Sequence, residues 1–315
     1  MIKDYVTKAK ISQIPNEAFT HGGVFHADDV FSAALLKYLN PDIKITRGPV
    51  SRIPENYEGI VFDIGAKNGY PEFDHHGEQE YRPKEKSAIE FTDKKHGTPY
   101  AALGKLWREF GGLVFSKPEQ VEAFDKSFVQ NIDYSDCTGV KNPLSTAISS
   151  FVPCWDEPQL YNEAFEEALG FAQKILVNEI NQAKALDRAH ELLTEAYKNA
   201  ENGILILPQF APWQNFVKDK PEIKFAIFPG RDDEFSIQGA QKSPPETPLR
   251  MSFPKEWLGK PAEFLQQQVE GLTFCHASNF LASAKTIEAA IATVEKIYEL
   301  QKEIENPNHD NNEPR

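Results

Sequence analysis

The amino-acid sequence predicts an α/β fold: a mostly parallel sheet flanked by helices, then a long helical connector, then a smaller α+β C-terminal domain. Three features carry that expectation. Residues 1–157 alternate short apolar runs, bounded by Gly or Pro, with stretches of helical periodicity. From Pro158 to about Ala200 the helical spacing runs on with no further proline, and beyond Gly203 the pattern turns extended. A length of 315 residues is about twice the ~150-residue expectation for one domain, which agrees with a division into 1–157, 158–200, 201–305 and a polar tail, 306–315, read as disordered.

Taken in order, "EAFTHGGVF" reads as a strand and a glycine loop leading into the helix "ADDVFSAALLKYL". Val30, Ala33, Ala34 and Leu36 to Tyr38 supply its apolar side, and Asn40-Pro41 closes it. "IKITRG", "GIVFDIG" and "YPEF" read as short strands, followed by a helix, "PYAALGKLWREF", ending at Gly111-Gly112. Open sheets of this kind bind ligands outside the carboxyl ends of their strands, where His21, Asp63 and Asp74 fall. Past the helical segment, "ILILPQF", "IKFAIFPG" and "EFSIQGA" read as an antiparallel set. A proline-bearing loop at 243–248, a strand "GLTFCHAS" and a helix over about 284–303 complete the smaller domain.

With 40% hydrophobic and 26% charged residues the composition is that of a globular protein. No apolar run approaches the ~18 residues of a membrane span. The first twenty residues show neither an apolar signal core nor an arginine-rich transit pattern, so a soluble, cytoplasmic protein is expected. Cys137, Cys154 and Cys275 are scattered, without a CxxC pair, and are read as reduced core residues rather than a disulfide or zinc framework. A net charge of −13 opposes tracking along duplex DNA, but leaves room for a short nucleic acid or a small phosphate ester held at bound cations.

The metal-competent side chains gather in "THGGVFHADD", "VFDIG", "FDHHG" and "QNIDYSD", each read at a strand end or its following loop. They offer His21, His26, Asp28, Asp63, His75, His76 and Asp133, about as many ligands as two divalent ions need. Mixed carboxylate and imidazole suits Mn²⁺ or Mg²⁺. Two such ions, about 3.5–4 Å apart, activate water and stabilise the attacking and leaving oxygens of an in-line phosphoryl displacement. Each cluster also has a plain structural reading. "HADD" can cap a helix, Asp63 can start a turn, and adjacent histidines can be a solvated pair. Their joint occurrence favours chemistry.

The Asp74-His75-His76 triplet, with Asp63 and the first histidine-aspartate cluster before it, resembles the DHH superfamily of metal-dependent phosphoesterases. "THGGVFHADDVFSAALL", "FDHHG", "GTPYAALGKLW", "FPKEW" and "FCHASNFLASAKT" are similar to its melanocyte-proliferating-gene (Myg) family of 3′ to 5′ exonucleases, from about Phe19 to Lys296. The resemblance implies a DHH-like catalytic domain in which His21, His26 and Asp63 hold one ion. Asp28, Asp63, His75 and Asp133 hold the other, with Asp63 bridging. It implies that Asp74 orients the histidines, that His76 faces the substrate as a proton donor, and that Asp136 stands near Asp133 in the fourth motif. An aspartate is commoner in the superfamily where His26 stands, which softens the first site toward Mn²⁺ or a later transition metal.

The C-terminal half is expected to hold the rest of the substrate. His276, Ser278 and Asn279 follow a strand, and Lys285 opens a helix whose first-turn amides can hold an anion. Asn279 and Ala282-Ser283 stand where the superfamily commonly carries a glycine-rich stretch. Arg231 and Arg250 are candidate phosphate clamps, while Trp213 and Trp257 are read first as packing residues. The function expected is therefore a two-metal, Mn²⁺-dependent phosphodiesterase, an exonuclease on short RNA or oligonucleotides. The alternatives are a pyrophosphatase or small-nucleotide phosphatase and, further off, a metal-binding regulator without turnover. The sparse basic residues around "HASNFLASAK" favour a diester over pyrophosphate. The long helical segment could also serve a homodimer.

Overall fold

A computed structural model describes residues 14–64, 73–75, 97–243 and 248–305. The chain divides into two compact units, one up to Lys184 and one from Ala185 onward.

The first unit is built on a parallel sheet. β1 (Glu17–Thr20) lies between β2 (Lys44–Arg47) and β3 (Ile60–Val61), with Phe19 opposite Thr46 on one side and Val61 on the other. Phe62 pairs with Phe73 in an isolated parallel bridge, which extends the sheet's pairing to Phe73. The crossover from β1 to β2 is α1 (Ala27–Leu39), with the bounds its periodicity predicts. Ala27 to Leu36 are all buried, because α1 is covered by α2 (Ala102–Val114), α4 (Gln130–Thr138) and α5 (Pro143–Ser149) as well as by the sheet.

Two expectations are revised here. α2 runs through Gly111-Gly112 to Val114, because a Cβ at Gly111 would lie 2.9 Å from Trp107 and 3.0 Å from Val121; the glycine serves close packing, not helix termination. "QNIDYSD" forms α4, not a strand end or loop. α4 follows α3 (Pro118–Phe124) through a single π-turn over Asp125–Val129. A π-turn adds a residue to the helical repeat and turns every later side chain by roughly 100° relative to an unbroken helix. The helical segment after Pro158 is one helix, α6 (Tyr161–Lys198), of 38 residues.

The second unit is a five-stranded sheet in the order β4 (Ile204–Ile206), β5 (Phe225–Pro229), β6 (Phe235–Gly239), β8 (Leu281–Ala284), β7 (Leu272–Cys275). It is antiparallel except for β4 and β5, which run parallel, against the fully antiparallel set the sequence suggests. The period-two alternation of β5 feeds two cores: Phe225 and Ile227 pack with Phe253, Trp257 and Val294, while Ala226 and Phe228 pack with Leu205, Trp213 and Val217. α7 (Ala262–Gln268) precedes β7. α8 (Ile287–Glu305) covers one sheet face and starts after Ala284, which closes β8.

Candidate metal centre

In the first unit three loops and two helices deliver the predicted chemistry. His21 follows β1 directly. The chain then turns through Gly22 and Gly23, the latter at φ 80°, so that His26 takes the position before α1 and Asp28 and Asp29 its first turn. Gly22 is required by proximity as well, since a Cβ there would stand 3.2 Å from the Gly48 Cα. Asp29 Oδ1 accepts the His26 N–H at 2.8 Å, which fixes the start of the helix. Asp63 ends the β3 segment at φ 51°, in the left-handed region that an aspartate tolerates better than most residues, and its N–H donates to Phe73 O at 2.9 Å. His75 comes two residues after Phe73, and Asp136 reaches in from α4.

These side chains converge. His21 Nε2 lies 3.1 Å from Asp29 Oδ2 and 3.2 Å from Asp63 Oδ2. The other Asp63 oxygen is 3.9 Å from His75 Nδ1, and His75 Nε2 is 3.1 Å from Asp136 Oδ2. The His21 and His26 rings are 6.5 Å apart between centroids. Among the described residues, four sets of ligand atoms each fall within 4.8 Å of one another: His21 with Asp29 and Asp63, Asp28 with Asp63 and His75, His26 with Asp28 and Asp136, and His75 with Asp136 and Cys137. Asp63, Asp28, His75 and Asp136 each belong to two sets, so the four form one continuous cluster.

The electrostatics express the crowding of carboxylates. Burial, then the charges of Asp63, Asp136 and Asp29, raise the Asp28 carboxyl well above its ordinary range. Asp63 is raised by burial too, against the hydrogen bond from His21. Burial opposes charge on His21, but its hydrogen bonds to Asp29 and Asp63 and their charges outweigh it and lift its pKa to about 10. Burial likewise opposes ionisation of Asp136, yet the hydrogen bond and charge of His75 and the contact with Asp28 hold it below its usual value. Both oxygens of Asp28 are fully buried and meet no hydrogen-bond donor among the described residues. A carboxylate so placed is expensive unless a cation satisfies it. The donor set, carboxylate and imidazole facing inward, therefore fits a divalent ion.

The structure sorts the predicted ligands. His21, His26, Asp28, Asp63 and His75 come together. Asp133, expected on the metal, is turned away and belongs to none of the four sets. Its Oδ1 accepts the Gly104 N–H at 3.1 Å, near the start of α2, where the residue before the helix, Ala101, offers no capping side chain. Burial and the charge of Asp125 raise the Asp133 carboxyl well above its ordinary value. Asp136, expected only nearby, occupies the cluster instead. Asp29 and Cys137 were not singled out from the sequence. The hint for Asp29 was its place in "HADD"; nothing marked Cys137 apart from its neighbour Asp136. Asp74 is buried beside the cluster, and its carbonyl accepts Lys105 Nζ at 2.7 Å. His76 lies outside the described residues.

In the second unit the candidate substrate residues are mostly spoken for. Arg250 is a structural staple, not a phosphate clamp: its guanidinium donates to the carbonyls of Gln241, Lys220, Ile223, Val217 and Lys218 at 2.5–3.1 Å. Asn279, at φ 60°, accepts the Phe253 N–H through Oδ1 and shapes the turn between β7 and β8. His276 Nδ1 accepts the Ser278 N–H at 3.0 Å, and its ring lies 4.5 Å from that of Phe280 and 5.9 Å from that of Phe274. Ser278, Lys285 and Arg231 are exposed. In the first turn of α8 the Ala289 N–H is taken by Thr286 Oγ1, which removes one of the amides expected to hold an anion. Trp213 and Trp257 are buried, in keeping with packing roles.

No helix among the described residues is long and apolar enough to cross a membrane. Residues 17–297 match the MYG1 exonuclease family model, described as uncharacterised protein family UPF0160. The MYG1 protein of Chlamydia trachomatis is 28% identical over 303 residues, covering 90% of this chain and 98% of that protein. That of Dictyostelium discoideum is 26% identical over 318 residues, 86% and 93% of the two chains. The MYG1 exonuclease of Mus musculus is 24% identical over 324 residues, 88% and 83%. Among solved structures, RecJ from Thermus thermophilus in complex with Mn²⁺ aligns with 91% of this chain at 14% identity and a TM-score of 0.28; the chain spans about half, 52%, of that one, a likeness too distant to bear on the fold. A family match running from β1 into α8 takes in every residue of the candidate metal cluster, and the chain belongs to the uncharacterised protein family UPF0160.

Proposed function

We propose that this chain is a DHH-type, divalent-metal-dependent hydrolase of phosphodiester bonds, working as a 3′ to 5′ exonuclease on short RNA or other oligonucleotides. The observation that carries the reading is Asp63, whose two oxygens face His21 on one side and His75 on the other within a single carboxylate and imidazole cluster. The names of the MYG1 exonucleases among its relatives support the same reading.

In this reading Asp63 would offer an oxygen to each of two ions. His21 and Asp29 would hold one with it, and Asp28, His75 and Asp136 the other, so Asp136 would take the place the resemblance implies for Asp133. His26, expected with His21, groups with Asp28 and Asp136 and serves that side of the cluster. Mn²⁺ is the ion that suits this donor set best. When bound, the ions supply activated water and stabilise charge on the reacting phosphate oxygens. Asp74 holds the histidine segment through Lys105, and His76 donates the proton to the leaving oxygen. His276, Ser278, Lys285 and Arg231 of the second unit are the remaining candidates for holding the substrate. With Arg250 committed to backbone carbonyls, the second unit has one fewer cation for a compact, highly charged anhydride, which favours the diester over pyrophosphate.

The test is Mn²⁺-dependent hydrolysis of a short 5′-labelled RNA, the matching DNA and pyrophosphate in parallel, with His75→Ala as control. A ladder shortening from the 3′ end, absent in the variant, is the expected result. Release of phosphate from pyrophosphate alone, or no turnover on any of the three with metal bound, would sink the proposal.

A further inference from the structure

Cys137 has no part in the proposed hydrolysis, yet its sulfur stands within the same 4.8 Å grouping as the ligand atoms of His75 and Asp136. It is partly exposed, whereas Cys275 is fully buried, and it follows Asp136 directly on α4. Its Sγ–H donates to the Pro99 carbonyl at 3.3 Å, which orients the sulfur. His75 Nε2 and Asp136 Oδ2 are 3.1 Å apart, so one sulfur, one nitrogen and one oxygen donor converge there. That combination differs in kind from the rest of the cluster. Carboxylate with imidazole suits Mn²⁺ and Mg²⁺, while a thiolate added to imidazole and carboxylate selects Zn²⁺ or Cd²⁺ and binds them in tetrahedral geometry with one position left for water.

We propose that His75, Asp136 and Cys137 form a thiophilic cation site overlapping the hydrolytic centre, through which Zn²⁺ or Cd²⁺ inhibits the enzyme. As the metal–sulfur bond forms, the Sγ proton passes to solvent and the bond to Pro99 is given up; nothing is oxidised. A soft cation held by the thiolate draws on His75 and Asp136 and so competes with the hydrolytic set for both. Inhibition rests on the hydrolase reading above; the site itself does not.

The experiment is a Cd²⁺ titration of the full chain, stripped of metal, followed by the thiolate-to-metal charge-transfer absorption in the ultraviolet. Wild type and Cys154→Ser should give a saturable band with one equivalent of thiolate, and Cys137→Ser should lose it. In parallel, Cd²⁺ should protect Cys137, but not Cys154, of the wild-type protein against alkylation read peptide by peptide, a measurement that needs no variant to fold. In the Mn²⁺ assay, Cys137→Ser should raise the Zn²⁺ concentration for half-inhibition by at least about tenfold, the scale on which metal sites respond to losing a coordinating partner. A band that persists in Cys137→Ser, or Cys137 alkylated equally fast with and without Cd²⁺, overturns the site. A band and protection as expected, in a protein that cleaves no phosphodiester, upholds the site and rejects the hydrolase reading instead.

Discussion

Asp63 combines a left-handed backbone, near-complete burial and two histidine neighbours, a costly arrangement that its carboxylate turns to use. Asp63→Asn keeps the shape and removes the charge that two ions would share. It should abolish tight Mn²⁺ binding at both positions while the protein stays folded, as read by metal content after dialysis and by circular dichroism; near-full occupancy would rule out the bridging role. Asp133 and Asp136 separate in the same way. Asp136→Asn should weaken Mn²⁺ affinity by at least about 10-fold, since loss of even an outer partner that orients a ligand costs roughly 10–100-fold. Asp133→Ala should leave affinity alone and cost roughly 1–3 kcal/mol of stability, because the buried Gly104 N–H loses its acceptor. Calorimetric Mn²⁺ titration and urea unfolding of both variants decide it; the opposite pattern restores Asp133 to the metal.

At the scale of elements, the contact between α2 and α4 is what holds Asp136 in place. Gly→Ala in a helix interior ordinarily stabilises by about 1 kcal/mol. At Gly104 the added Cβ would stand 1.9 Å from Asp133 Oδ2 and 2.2 Å from a Tyr100 ring carbon, so Gly104→Ala should lower the urea midpoint and, by displacing α4, the Mn²⁺ affinity as well. A raised midpoint would mean the two helices do not meet as described. α1 was legible and has the bounds its apolar spacing and Asn40-Pro41 stop predict. α4 was not, since "QNIDYSD" reads as a strand end or loop, and the π-turn before it sets which of Asp133 and Asp136, three residues apart, points inward. β8 escaped notice because "LASA" has no β-branched or aromatic residue; pairing with β6 and β7 makes it a strand.

Over the whole molecule, stability should fall on the alkaline side, because burial raises phenols in both units and a thiol in the second; the Tyr57 phenol of the first is lifted from 10.0 to about 12. Burial lifts the Cys275 thiol from 9.0 to about 11 and the Tyr298 phenol from 10.0 to about 12, the latter also donating to Asn202 O. Both groups keep their protons longer folded than unfolded. Their contribution is thus fully present below pH 9 and is lost progressively between about 9 and 12. The urea midpoint of the wild type should decline from pH 9 upward, and Cys275→Ala should show a shallower decline between pH 9 and 11. Parallel profiles for the two proteins would remove Cys275 from the account.

The sequence alone determined the α/β class, the long helical segment after Pro158 and the family, and it named five members of the candidate metal cluster, His21, His26, Asp28, Asp63 and His75, which the structure brings together. Those are local properties: hydrophobic period, turn residues, and ligand-bearing side chains placed one or two residues past a strand. Tertiary structure alone decided that Asp136 and not Asp133 stands in the candidate cluster, that Asp29 and Cys137 stand there too, and that Arg250 is committed to backbone carbonyls. Each of these depends on how a helix is rotated or which distant carbonyl lies within reach. Such choices come from packing between elements remote in sequence, and the residue type, Asp or Arg, is the same in either role.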